Sequence, residues 1–213
     1  MVSAMVTTAV TVQPRIRVSP PLETVINQRL AKLSELGFEK ISYSLYRMYT
    51  SEELNVEEIS ELLDDLLILS ATQVIAIKNR DSNNAFVEYS EVAIGCLLNL
   101  ARHLDEYSQI ALYFTSDLQL LDIALFADRS STVRLAEKII GGGIGCSASQ
   151  VVLVLRRYQV PNPNGEDSFL VNQIARGLSA VNIGLLDDIV AGDDMVYSNT
   201  SGRIFHSHAE SYA

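Results

Sequence analysis

Apolar residues recur every three or four positions at Leu22, Val25, Ile26, Leu30, Leu33 and Leu36, the spacing of one helix face, and Gly37 follows where a helix end favours a left-handed residue. Ile41, Leu45 and Met48 carry a second helical stripe, and Tyr43, Tyr46 and Tyr49 around it read as half-buried core. Asn55 is a good N-cap for a third helix. Glu57, Glu58 and Glu61 lie in its first turns, where the helix dipole favours negative charge, and Ile59, Leu62, Leu63, Leu66 and Leu67 form its buried face. Residues Gln73 to Lys78 are β-branched enough for a strand, but the expectation is that they extend this helix. Arg80 to Asn84 is a loop of residues that bond their own backbone.

Beyond that loop the pattern repeats. Val92 to Ala101, Val133 to Ile140 and Val171 to Leu178 are small-residue-rich helical segments recurring about every 40 residues. Ile110 to Phe114 and Leu118 to Phe126 lie between the first two and read as shorter helices, giving a unit of one long helix and two short ones. Unit and spacing over residues 86–195 resemble armadillo and HEAT repeats, with Val92 to Ala101 similar to the long third helix of an armadillo repeat and Asn99 matched to its groove asparagine. The resemblance implies an α-solenoid that grips an extended peptide or a partner helix. The glycines from Gly141 to Gly145 and the prolines Pro161 and Pro163 depart from the repeat. The fold class expected is therefore all-α, a multi-helix array of armadillo or HEAT type, with a plain helical bundle as the alternative. Four regions follow: an arm over 1–20, N-terminal helices over 21–80, a repeat-like region over 86–195 and a polar tail over 196–213.

Composition narrows the chemistry. The 213 residues are 48% hydrophobic, enough to form a packed core without a disulfide or metal staple. A net charge of -10 opposes general adhesion to nucleic acid or anionic lipid, leaving only a local basic patch for such contacts. Cys96 and Cys146 sit among apolar or small residues and read as buried, reduced thiols; His103, His206 and His208 offer no metal-ligand spacing. Without a positively charged leader, a long apolar centre or a membrane-length apolar run, the expected location is cytoplasmic.

Gly143-Ile144-Gly145-Cys146-Ser147-Ala148 satisfies the glycine/alanine form of a dinucleotide-binding fingerprint, which would make the chain an oxidoreductase. Context opposes it, because Thr132 to Ile140 has helical spacing where a strand is needed and no acidic residue closes a second strand. Asp64-Asp65, Asp187-Asp188 and Asp193-Asp194 are adjacent pairs whose side chains diverge by about 100° on a helix, so they do not converge on one bond or metal. The end of the chain, with amphipathic helices over Phe169 to Val190, a stop at Gly192 and a Ser/Asn-rich tail closing on Phe205, is similar to the end of rod-shaped plant-virus coat proteins, which implies a self-assembling subunit. The principal expectation is a non-enzymatic protein-binding or scaffold module with no cofactor, no metal and no membrane partner. It would use a protein partner or self-association, with Asn99, Arg102 and Asp105 on the water side of their helix as the partner-binding residues.

Overall fold

A computed structural model describes residues 20–51, 53–79, 85–105, 108–126, 132–157 and 165–206. Among them are α1 (Pro20–Glu35), α2 (Glu39–Thr50), α3 (Val56–Ala71), β1 (Ile75–Asn79), β2 (Ala85–Tyr89), α4 (Glu91–Arg102), β3 (Gln109–Phe114), β4 (Leu120–Phe126), α5 (Thr132–Gly145), β5 (Gln150–Arg156), α6 (Gly165–Ala180), β6 (Gly184–Ala191), β7 (Met195–Ser198) and β8 (Arg203–His206). The 1–19 part of the expected arm, the loop from Arg80 to Asn84, Pro161 and Pro163, and the tail beyond His206 with His208 lie outside the described residues.

The all-α expectation is overturned, in its solenoid and bundle forms alike, by a six-stranded sheet of order β4-β3-β5-β6-β7-β8 and a separate β1-β2 ribbon. Four neighbouring pairs are antiparallel, while β5 and β6 run parallel with α6 as their connection. Helices cover both faces. Ile110, Leu112, Phe114, Val152, Val154 and Ile189 join a core with residues of α1 to α4, whereas Ala111, Tyr113, Val151, Leu153, Leu155 and Val190 join a second core with α5 and α6. Successive side chains on a strand point to opposite faces, so a strand covered on both sides needs an unbroken apolar run.

That run explains the misreadings. Every residue of β3 is buried, so its sequence shows no polar alternation and its periodicity is indistinguishable from a buried helix. Residues Ile110 to Phe114 and Leu118 to Phe126, expected as helices, supply β3 and β4. Gln73 to Lys78 contributes to β1 instead of prolonging α3, and Phe169 to Val190 divides into α6 and β6. The expected polar tail begins with β7 and β8. The repeat-like segments are helical, in α4, α5 and α6, but strands stand between them.

Helix ends with local chemical signals fall where the sequence places them. Gly37 has φ +95°, beyond the end of α1. The Asn55 side chain accepts the N–H groups of Glu57 and Glu58 at 2.9 and 3.0 Å, and Glu58 accepts the Asn55 N–H at 2.7 Å, a complete capping box. Burial on α4 sets a further expectation. Leu97 has no exposed surface, so Leu97→Ala should cost about 2 to 5 kcal/mol, while truncating exposed Arg102 to alanine should cost no more than about 1 kcal/mol. Urea melts of the two variants check the contrast.

Candidate protein interface

Ligands of open α/β sheets gather at the carboxyl ends of the strands. Here those ends of β5 and β6 hold charges that engage one another. Buried Arg156 donates to the Arg157 carbonyl at 2.7 Å and pairs with Asp193 at 2.5 Å; buried Arg157 forms a two-pronged ion pair with buried Asp167, its Nε standing 3.2 Å from Oδ2. Asp167 lies in the first turn of α6, so the pair fastens that helix to the end of β5.

The three residues expected to bind a partner have different neighbours in the fold. Half-buried Asn99 donates to Asp65 on α3 at 2.5 Å, Arg102 Nε donates to the Asp193 carbonyl at 2.6 Å, and exposed Asp105 borders a separate hollow with Arg47, Phe126 and Lys138. The glycine cluster is equally far from a phosphate cradle. It lies inside α5, and the strand follows it, the reverse of the fingerprint's order. A Cβ on Gly142 would strike the buried Tyr113 ring, whose hydroxyl donates to the Ile139 carbonyl at 3.0 Å. Lys40 stands 5.4 Å over the same ring and donates to Asp122 at 2.7 Å. Gly142 and Gly143, where an added Cβ would crowd Tyr113 and Ile183, let α5 settle onto the sheet.

Both cysteines are free. Cys96 is buried and its thiol is pushed up to about 12, first by desolvation and then by Asp65, whereas Cys146 is only half-buried. A thiol-reactive dye should therefore label Cys146 in the native protein and reach Cys96 only on unfolding; equal native rates for both would contradict this packing. Among the described residues, no cluster of three His, Cys, Asp or Glu is placed to hold a metal ion, and no helix is long and apolar enough to cross a membrane.

The last hairpin is fixed from below. Asp187 on β6 is 1% exposed and accepts the Tyr89 hydroxyl at 2.8 Å, the Ser198 hydroxyl at 2.6 Å and the Thr200 N–H at 3.0 Å. Burial, and then the Asp187 charge, hold the Tyr89 phenol well above its ordinary pKa, so it remains a neutral donor. The next residue, Asp188, points to the other face; it binds the Asn199 side chain, and its carbonyl accepts the Asn199 N–H at 3.0 Å. Desolvation raises the Asp188 carboxyl above the usual carboxylate range. The Tyr89 ring meets Phe205 of β8 edge-on, with centroids 5.8 Å apart. The β2 ribbon, β6, β7 and the β7-β8 turn are thereby joined through one carboxylate.

Above this anchor opens a groove of about 530 Å³ between α4 and β8, lined by Tyr89, Val92, Gly95, Ile204, Phe205 and His206, with Glu91 also bordering it. Val92 and Ile204 are apolar yet 51% and 52% exposed. At this side the sheet simply stops: β8 pairs with β7 alone among the described residues, while α2 packs along the opposite edge strand, β4. Gly95 lies on the same side. It is exposed in the middle of α4, and a Cβ there would meet nothing within 4 Å. Glycine inside a helix is about 0.5 to 1 kcal/mol less stable than alanine, so Gly95→Ala should stabilise the isolated fold by that amount in denaturant melts. The fold alone gives no steric reason for the glycine.

No protein-family model matches the chain, and no curated protein matches it in sequence. The reading of the groove therefore rests on its own geometry. The sequence does mark Gly95 as a small residue suited to close helix contact; that its open side faces away from the core follows only from how α4 lies on the sheet.

Proposed function

We propose that the protein is a non-enzymatic protein-binding module that takes an extended segment of a partner protein onto the free edge of β8. The observation that carries this reading is the outer edge of β8, unpaired among the described residues, beside an apolar groove. An edge strand presents backbone N–H and C=O groups that another strand can satisfy, and pockets alongside it select alternate side chains. A bound segment would set apolar residues beside Phe205 and Val92. Basic residues at its end would find Glu91 at the groove and a chain of net charge -10. The buried charges elsewhere support a binding role over a catalytic one, because Arg157, Asp167 and Asp187 are spent on holding elements together.

Panning a displayed library of short random peptides on the full chain tests the proposal. Enriched peptides should alternate apolar and polar residues. They should lose binding to Ile204→Pro, which blocks backbone pairing, and to Gly95→Leu, which fills part of the groove from the α4 side. Recovery of no peptides, or of peptides indifferent to both changes, would refute it.

A further inference from the structure

We infer that the chain supplies an occupant of its own for this edge: residues 6–12 of the N-terminal arm pair with β8 of the same molecule and keep it closed until a partner segment displaces them. The inference rests on the proposed edge-binding role and adds its regulation.

The arm has the composition that such an edge selects. Val6-Thr7-Thr8-Ala9-Val10-Thr11-Val12 is β-branched at every position except Ala9, which favours extended backbone, and no proline precedes Pro14. Paired as a strand, Val6, Thr8, Val10 and Val12 would share one side and Thr7, Ala9 and Thr11 the other, so three valines meet the apolar groove beside Phe205 and Val92. Charge agrees with this placement. The first 22 residues hold Arg15 and Arg17 and no acidic residue, so of the net charge of -10 the rest of the chain carries -12, and Glu91 borders the groove. The arm therefore brings to the edge the sign that an acidic body attracts.

The arm is also long enough to close on its own molecule. Leu36-Gly37-Phe38 joins α1 to α2, and the Ser42 hydroxyl donates to the Leu30 carbonyl at 2.9 Å, so the two helices run antiparallel and α1 begins where α2 ends and α3 soon starts. Glu58 in the first turn of α3 stands 4.0 Å from His103 at the end of α4. The groove lies at the other end of α4, about 17 Å along the helix from His103 to Val92. Since α1 packs on α3 and α3 on α4, with axes about 9 Å apart in each case, the start of α1 is about 25 Å from the groove. The eight steps from Pro20 back to Val12 span up to about 28 Å. Closure weakens a partner segment by the fraction of time the edge is open: an arm engaged about nine-tenths of the time weakens it about tenfold, and a saturating segment still displaces the arm.

Hydrogen–deuterium exchange and peptide binding, each on the full chain and on its Val10→Pro variant, test the inference. Proline removes a backbone N–H from the middle of the pairing segment. In the variant the amides of Arg203–His206 should exchange about tenfold faster, and a peptide selected on the chain should bind about tenfold tighter, with circular dichroism unchanged. Arg15→Glu combined with Arg17→Glu should act in the same direction, more at low salt than at high. Oxidised Val10→Cys with Ile204→Cys should link the two positions within one chain of 23.4 kDa. A linked product of twice that mass, exchange and affinity unchanged by the arm substitutions, or faster exchange in β1 or β2 with β8 unaltered would overturn the inference. If selected peptides bind the chain and its arm variants alike yet are lost on Ile204→Pro, closure by the arm fails and the binding role survives. If no peptide is selected on either chain, both fall.

Discussion

Replacing Asp167 with alanine should destabilise the protein by about 3 to 5 kcal/mol, among the largest single-site effects expected in the molecule. The loss follows from what is left behind. Arg157 is 8% exposed; its Nε and one terminal nitrogen meet the Asp167 carboxylate while the other terminal nitrogen donates to the Arg156 carbonyl, so truncation leaves a desolvated cation without its counter-charge beneath the first turn of α6. Attraction between the two charges matters less than that residue of unpaired charge. Replacing both partners together, Arg157→Met with Asp167→Leu, should therefore recover most of the loss. Guanidinium melts of the single and double variants decide it: a double variant as unstable as Asp167→Ala alone would show that the pair supplies more than mutual neutralisation.

The second large effect is expected at Asp187. Asp187→Ala removes the common acceptor of the Tyr89 and Ser198 hydroxyls and the Thr200 N–H, leaving buried donors at about 1 to 3 kcal/mol each, so a total of about 3 kcal/mol or more is expected. The damage should be local before it is global. Because Asp187 joins β2 and β6 to the turn before β8, the amides of β7 and β8 should exchange faster than those of β3 and β5 in the variant. Asp187→Asn keeps one carbonyl acceptor in place and should fall between the two. A uniform rise in exchange over the sheet would mean that the carboxylate does not specifically anchor the hairpin.

How much of this was legible in the sequence depends on whether an element's signal is local. Asn55 with Glu58, and Gly37 after α1, act within a few residues of chain, and their helix ends lie where the sequence puts them. Strands β3 and β5 are different. Their apolar runs are dictated by helices packing from both faces, a circumstance created by distant segments, and so they mimic buried helix. Strands β7 and β8 carried an opposite disguise: Tyr197, Ser198 and Arg203 belong to an outer hairpin with one face open, and read as polar tail. In the sequence Asn99, Arg102 and Asp105 read as the water side of one helix, yet Asp65, 34 residues before Asn99, and Asp193, 91 after Arg102, engage two of them. The groove needed β8 to be recognised as a strand before it could be seen.

The edge-binding role is tested most directly by hydrogen–deuterium exchange of the full chain with and without a peptide selected on it. Slowed exchange should be confined to Arg203–His206 and to the half of α4 that carries Val92 and Gly95, with the strongest protection in β8, where new backbone hydrogen bonds would form. Protection centred instead on the hollow beside Asp105 and Phe126, or spread over the sheet with β8 unchanged, would contradict it.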